Sequence, residues 1–386
     1  MTNIKLYNKI DKAGISLFDT NRYALSEDVE NYEGIMVRSA ALHDVEFPSS
    51  LRAIARAGAG VNNIPIDKCA EEGIVVFNTP GANANGVKEL SIAALLLASR
   101  NISGGIEWCK SLIGTEDIAK QVEKGKSAFT GPEILGKTLG VIGLGAIGGM
   151  VANTACSLGM KVIGCDPYIT VNAAWSISRS VIKANTYDEV YAVSDYVTIH
   201  VPSNDSTRGM INAESIAKMK DGVRIINLAR GDLVNNDDLK VALDSGKVAC
   251  YVTDFPNDGI LGYKNTVCIP HLGASTPESE ENCARMAADE LIDFLENGNI
   301  RNSVNYPAIS QPRNTEHRII VLHRNIPSMV GSVSSVLGTD KVNIDSMSNR
   351  SKGNYAVTII DADSPVTPEI AADISAIEGI IRVNII

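Results

Sequence analysis

Leu139-Gly140-Val141-Ile142-Gly143-Leu144-Gly145-Ala146-Ile147-Gly148 decides how this chain is read. Its first four residues predict a buried strand. Gly143, Gly145 and Gly148 then form a G-x-G-x-x-G turn that opens a helix running through Leu158. A second strand, Lys161 to Cys165, ends in Asp166, 18 residues beyond Gly148. This strand, turn, helix and acid suit a dinucleotide. Glycines let backbone amides approach a pyrophosphate, the helix N-terminus favours its charge, and the acid accepts hydrogen bonds from a ribose diol. Ala146 and Ile147 belong to the same turn. Asp166 repels a 2′-phosphate, and Pro167 and Tyr168 supply no arginine to reverse that. The expected cofactor is NAD.

Working outward, strands are predicted at Leu139 to Ile142, Lys161 to Cys165, Tyr196 to His200, Arg224 to Asn227, Val248 to Thr253 and Thr266 to Ile269, with helical stretches between most of them. That is a doubly wound, Rossmann-type α/β sheet. Before it, Ile4 to Tyr7, Gly34 to Val37, Leu51 to Ala57 and Gly73 to Phe77 alternate with helical patterns, which implies a second parallel sheet. Glu89 to Ser99 reads as a buried helix. A long helix is expected from Pro277 to Glu296, opened by Thr276-Pro277. Asn305 to Thr315, with Pro307 and Pro312, reads as a linker. His317 to Ile386 repeats none of this: strand, helix, two strands, helix and strand give a ferredoxin-like βαββαβ unit.

Two charged residues fall where ligands bind open α/β sheets, at strand C-termini. Asn227-Leu228-Ala229-Arg230-Gly231 places an arginine there, and Pro270-His271-Leu272-Gly273-Ala274-Ser275-Thr276 a histidine. Hydride transfer to a 2-keto acid needs a cation for the carboxylate and ketone, and an acid for the developing alkoxide. Arg230 and His271 meet that need as a pair; singly they could be a surface ion pair and a loop residue. His200-Val201-Pro202 reads as a proline-terminated strand end, with His200 and Pro202 lining the adenine pocket, and a catalytic role as the alternative.

Composition sets outer bounds. The chain has 386 residues, enough for two or three domains, and 45% are hydrophobic but only 5% aromatic, so the core must be aliphatic. A net charge of -10 argues against a nucleic-acid partner, because phosphate backbones need a basic face. Seven cysteines without a CxxC pair argue against a disulfide framework or a zinc site. Met1-Thr2-Asn3-Ile4-Lys5 lacks the apolar run of a signal peptide, and Ile92 to Ala98 is too short to span a bilayer, so no membrane partner and a cytoplasmic location are expected.

Over residues 1 to 310 the segments GLGAIG, NLARG and PHLGAST resemble the D-isomer-specific 2-hydroxyacid dehydrogenases, and within them the phosphoglycerate-oxidising branch. The resemblance implies a flavodoxin-like substrate-binding domain at 1–96 and 283–310 around an NAD domain at 97–282. It assigns the substrate carboxylate and carbonyl to Arg230 and the acid/base role to His271. It places Asp254 at the nicotinamide carboxamide and Leu228, Ala229, Gly273 and Ala274 along the cofactor. It implies that Arg38, Ser39, Ala59, Gly60, Val61 and Asn62 line the substrate side, with Arg38 meeting a phosphate. Lys88 is either a ligand for an anionic tail or a solvated lysine on a first helical turn. The family's glutamate partner of the histidine is missing from Thr253-Asp254-Phe255-Pro256-Asn257-Asp258. Asp258 is the nearest stand-in, with an ordinary loop aspartate as the alternative.

Residues 317–386 resemble an ACT domain. That resemblance points to L-serine control through His323, Asn325 and Asn343 across a pair of such domains, or to a module for assembly alone. Ser328 departs from the glycine that relatives often carry after the proline. The implied activity is NAD-dependent oxidation of 3-phospho-D-glycerate to 3-phosphohydroxypyruvate, the entry to serine synthesis, by a homodimer or homotetramer. Alternatives are a glyoxylate or hydroxypyruvate reductase and, in another class, an NAD-sensing binding protein like the corepressors of this fold.

Overall fold

The computed structural model describes residues 1–386. Five strands come first: β1 (Thr2–Tyr7), β2 (Tyr23–Ser26), β3 (Gly34–Val37), β4 (Ala53–Arg56) and β5 (Val75–Phe77). All pair in parallel, in the order β2-β1-β3-β4-β5, which is the flavodoxin-like order. β3 reads Gly-Ile-Met-Val with every residue buried, as a strand covered on both faces must. One face packs Ile35, Val37, Ile54 and Leu51. The other packs Met36, Ala53 and Phe77 against Ala284, Ala287, Leu291 and Phe294 of the helix Pro277–Asn297. β2 was not expected from the sequence; it is a four-residue edge strand with one fully buried side chain, Tyr23.

The second sheet holds β6 (Thr138–Ile142), β7 (Lys161–Cys165), β8 (Val181–Lys183), β9 (Tyr196–Ile199), β10 (Val223–Asn227), β11 (Val248–Thr253) and β12 (Thr266–Cys268). Its order, β12-β11-β10-β9-β6-β7-β8, is parallel throughout and doubly wound, with the strand order reversing at β6/β9. The six expected strands are present and β8 adds a short edge.

The third sheet holds β13 (His317–Arg324), β14 (Ile344–Lys352), β15 (Tyr355–Ala362) and β16 (Ile380–Ile385), in the antiparallel order β14-β15-β13-β16. With the helices Met329–Thr339 and Pro368–Ser375 it forms the βαββαβ unit. Strand alternation sorts its faces. Ile319, Val321 and Ile360 meet Val333, Leu337, Ile370 and Ile374 of the helices. Ile320, Leu322, Val357 and Ile359 point the other way, into the core that holds Phe77, Phe294 and Tyr306.

The chain forms two compact units, Met1–Asn83 with Pro277–Ile386, and Ala84–Thr276. The boundary expected at 96/97 therefore falls at 83/84. The helix Ala84–Ser99 buries Ala94, Leu95 and Ala98 among Leu139, Val151 and Ile226, so it belongs with the second sheet. The expected 282/283 boundary moves to 276/277, because the long helix is continuous from Pro277. The segment expected to be a linker is packed instead: Tyr306 is fully buried and donates to the Ala70 carbonyl, and Ile309 bridges Ile300. No helix is long and apolar enough to cross a membrane.

Candidate active site

The glycine turn follows β6 and leads into the helix Ala146–Ser157. Gly143 has φ +87°, and a Cβ there would lie 2.6 Å from the His200 carbonyl oxygen. A Cβ on Gly148 would come within 1.9 Å of the Gly143 oxygen, so helix and turn touch only because both residues are bare. Gly145 differs: nothing lies within 4 Å of a Cβ built on it. It is the N-cap of the helix and offers open backbone at the positive end of the helix dipole. These three environments are what a bound pyrophosphate requires of the three glycines. Asp166, at the end of β7, accepts from the Leu144 amide through Oδ2 (2.9 Å) and from the Tyr168 amide through Oδ1 (2.9 Å). It therefore staples the glycine turn, and as an acceptor with two oxygens it keeps lone pairs for a ribose diol. The residues present fit NAD.

His200 closes β9. Its Nε2 lies 3.0 Å from Thr198 Oγ1, and burial pushes its imidazole down to about 4, which leaves it neutral near pH 7. Pro202 is exposed and its carbonyl accepts from Thr207.

β10, β11 and β12 are neighbours in the sheet, so their C-terminal ends present Arg230, Asp254 and His271 side by side. Asn227, fully buried at the end of β10, holds the first of these turns. Its Nδ2 donates to the Arg230 carbonyl (2.8 Å) and to Tyr251 Oη (3.2 Å), and its Oδ1 accepts from the Ala229 amide. Sequence reasoning passed over Asn227; the signal was an amide side chain ending an otherwise apolar strand. Arg230 donates to the Ala229 carbonyl and makes no salt bridge. Leu228 is buried in the core with Leu139 and Val252.

His271 is exposed and rests on Phe255, with ring centroids 4.7 Å apart. Phe255 in turn lies against Gly231, where a Cβ would be 3.3 Å from its own. Asp258 does not join this group. It sits exposed in the turn after Asn257, with no hydrogen bond or ion pair to His271. The carboxylate that His271 and Arg230 act on is Asp254. Only 1% of Asp254 is exposed, both its oxygens lack a hydrogen-bond partner, and a Cβ on Gly273 would lie 3.6 Å from Oδ2. Burial raises its carboxyl and outweighs the opposing pull of His271 and Arg230. An orphaned acceptor at a strand end of the same sheet suits an amide donor such as a nicotinamide carboxamide.

Val87, in the first turn of Ala84–Ser99, abuts Gly273, where a Cβ would lie 3.1 Å from Cγ2. Lys88 follows it and faces Glu89 at 3.6 Å. Ala274 lies half-buried in the same loop.

The residues expected on the substrate side lie in the other unit. Arg38 is engaged there: its Nη2 pairs with Glu280 Oε1 at 2.6 Å. The amides of Ser39 and Ala40 both donate to Asn8 Oδ1. Ala59 and Asn62 are exposed, Gly60 and Val61 half-buried, and the Asn62 carbonyl lies 2.9 Å from His43 Nε2. In the tail, His323 is buried with both ring nitrogens used, Nδ1 at the Arg324 carbonyl (2.8 Å) and Nε2 at Thr358 Oγ1 (3.0 Å). Asn325 donates to the Gly353 carbonyl. Asn343 precedes β14, whose start pairs with Ala362, the residue opposite His317. It therefore lies at the far end of the sheet from His323, and one tail does not bring the three side chains together.

Residues 92–273 match the family of the D-isomer specific 2-hydroxyacid dehydrogenase NAD-binding domain. The chain is 35% identical over 329 residues to the D-3-phosphoglycerate dehydrogenase of Archaeoglobus fulgidus, covering 82% of this chain and 59% of that one. It is 32% identical over 344 residues to the Bacillus subtilis D-3-phosphoglycerate dehydrogenase, covering 87% and 62%. It thus spans about six-tenths of the length of these relatives. A glyoxylate reductase structure from Paecilomyes thermophila superposes with a TM-score of 0.64 at 27% identity, over 78% of this chain and 98% of that one. The glycine turn and the three adjoining strand ends all lie within residues 92–273, the span that matches the NAD-binding domain of the D-isomer specific 2-hydroxyacid dehydrogenases.

Proposed function

We propose that this protein oxidises 3-phospho-D-glycerate to 3-phosphohydroxypyruvate with NAD, at the entry to L-serine synthesis. The observation that carries the reading is the placement of Arg230 and His271 at the ends of β10 and β12, on either side of Asp254 at the end of β11, with no salt bridge on Arg230. Its support among relatives is the shared name of those 32–35% identical. Arg230 holds the substrate carboxylate through charge-assisted hydrogen bonds and polarises the C2 oxygen. His271 takes the proton from the C2 hydroxyl as the C2–O bond becomes a carbonyl. Bound NAD supplies the acceptor for the hydride that leaves C2. Phe255 fixes the plane of the His271 ring, and Asp254 offers a nearby negative charge as the imidazole becomes positive. The protein is read as a cytoplasmic homodimer or homotetramer.

A second reading, reduction of glyoxylate or hydroxypyruvate, is favoured by one observation. Arg38, the cation read as a phosphate ligand, already pairs with Glu280. Initial rates with NAD and 3-phosphoglycerate, glycerate or lactate, and with NADH and glyoxylate or hydroxypyruvate, separate the two. A preference for 3-phosphoglycerate over glycerate supports the first reading; the reverse preference supports the second. No turnover with any of them, despite NADH binding, leaves an NAD-binding protein that is not an enzyme.

A further inference from the structure

Within the unit formed by 1–83 and 277–386 is a cavity of about 480 Å³, in the size range of small-molecule sites. One wall is a single face of the helix Pro277–Asn297, with Arg285 and Asp289 four residues apart and Glu290 beside them. Ala82, Arg301 and Asn302 line the other side.

Glu290 is unusual for this surface. It is only 3% exposed; Oε1 accepts from Asn302 Nδ2, and Oε2 is buried with no partner. A buried carboxylate oxygen without a donor is costly unless something supplies one. Burial raises the carboxyl to about 7, against the pull of Asn302 and Arg301 and with the push of Asp289. The two guanidiniums are held only by outer ion pairs, Arg285 to Glu281 and Arg301 to Asp293, each about 3.0 Å and partly solvated. Such pairs are weak enough for a ligand to compete with.

We propose that this cavity binds a small zwitterion of the α-amino-acid class, with its ammonium at the free Glu290 oxygen and its carboxylate at Arg285 and Arg301. A lone cation would be repelled by two guanidiniums, and a lone anion by Glu290 and Asp289. A molecule carrying both charges a few bonds apart satisfies both walls. The site is separate from the strand-end residues of the proposed reaction and does not depend on that reading.

Calorimetric titration of the full chain at pH 8 with glycine, acetate and methylammonium tests it. Glycine should bind saturably, and the two half-molecules at least about tenfold more weakly. Glu290→Gln should weaken glycine about tenfold or more, and so should Arg285→Met. Because the ammonium needs an ionised Glu290, glycine affinity should rise about tenfold between pH 6 and pH 8, while glycine itself keeps both charges. Acetate or methylammonium binding as tightly as glycine would overturn the proposal, as would no glycine binding into the tens of millimolar. Should Glu290→Gln not fold, the pH comparison on the unmodified chain decides: equal affinity at pH 6 and pH 8 overturns it.

Discussion

In the proposed reaction Arg230 and His271 divide the work between a fixed charge and a movable proton. Removing the imidazole should therefore lower turnover by about 10² or more while leaving substrate binding to Arg230. The expected result for His271→Ala is a fall in kcat with little change in KM, read from steady-state rates of NADH formation. Activity within a few fold of the parent would mean the proton leaves by another route. Glu290 makes a stability prediction of its own. Its folded-state value, about 7, lies above the ordinary 4.5, so folding favours its protonated form. The native state is spared any penalty below about pH 4.5 and progressively loses stability as pH rises through 7. Glu290→Gln, which cannot ionise, should overtake the parent across that window, by up to about 3 kcal/mol at pH 8. Urea unfolding at pH 5 and pH 8 measures it; an equal difference at both would show that Glu290 ionises freely.

Among the elements, a buried ion pair adds to the joint between the long helix and the tail. Arg318 in β13 and Asp361 in β15 are both fully buried and joined by two hydrogen bonds, of 2.6 and 2.8 Å. The remaining Arg318 donors reach the carbonyls of Asn297, Gln311 and Pro312, tying the helix end and the 311–312 segment to the sheet. Burial acts to raise the Asp361 carboxyl, but hydrogen bonds from Arg318 and Gln311 outweigh it and hold it below its usual range. Arg318→Met strands that carboxylate and should cost about 3–5 kcal/mol. The double variant with Asp361→Leu should recover most of the loss, because the buried charge is then gone. If both variants unfold at the same denaturant concentration, the pair is not what holds the joint. A smaller effect belongs to Ser328, which has φ +69° at the start of Met329–Thr339. Glycine takes that conformation without steric cost, so Ser328→Gly should raise stability by about 0.5–1 kcal/mol, seen as a higher thermal midpoint.

On the scale of the whole molecule, the tail sheet shares a core with the first sheet. Ile320, Leu322, Val357 and Ile359 pack with Phe77, Phe294, Ile300 and Tyr306, and Arg382 donates to the carbonyls of Ser49 and Leu51. Ending the chain near Pro307 would therefore leave a large apolar face open to water rather than release an intact enzyme. The shortened chain should aggregate or melt well below the full chain, as light scattering and calorimetry would show. A soluble, active product with an unchanged midpoint would mean the shared core contributes little.

Local patterns in the sequence were enough for the fold and for where the strand-end residues fall. Strand and helix periodicities, the glycine turn before Asp166, and the placement of Arg230 and His271 just after apolar strands each depend on a few consecutive residues, and such short-range constraints act wherever the chain goes. Tertiary structure alone decided the partners. Asp258 was the nearest acid to the family's missing glutamate along the chain, yet Asp254 is the carboxylate buried beside His271 and Arg230. Arg38 meets Glu280, 242 residues away. The helix Ala84–Ser99 packs with the second sheet, and residues 305–311 are packed rather than slack. His323 and Asn343 fall at opposite ends of one sheet through strand register. Periodicity tells which face of an element is apolar. Which surface covers that face, and which charge is stranded when it closes, depends on contacts between residues far apart in the chain.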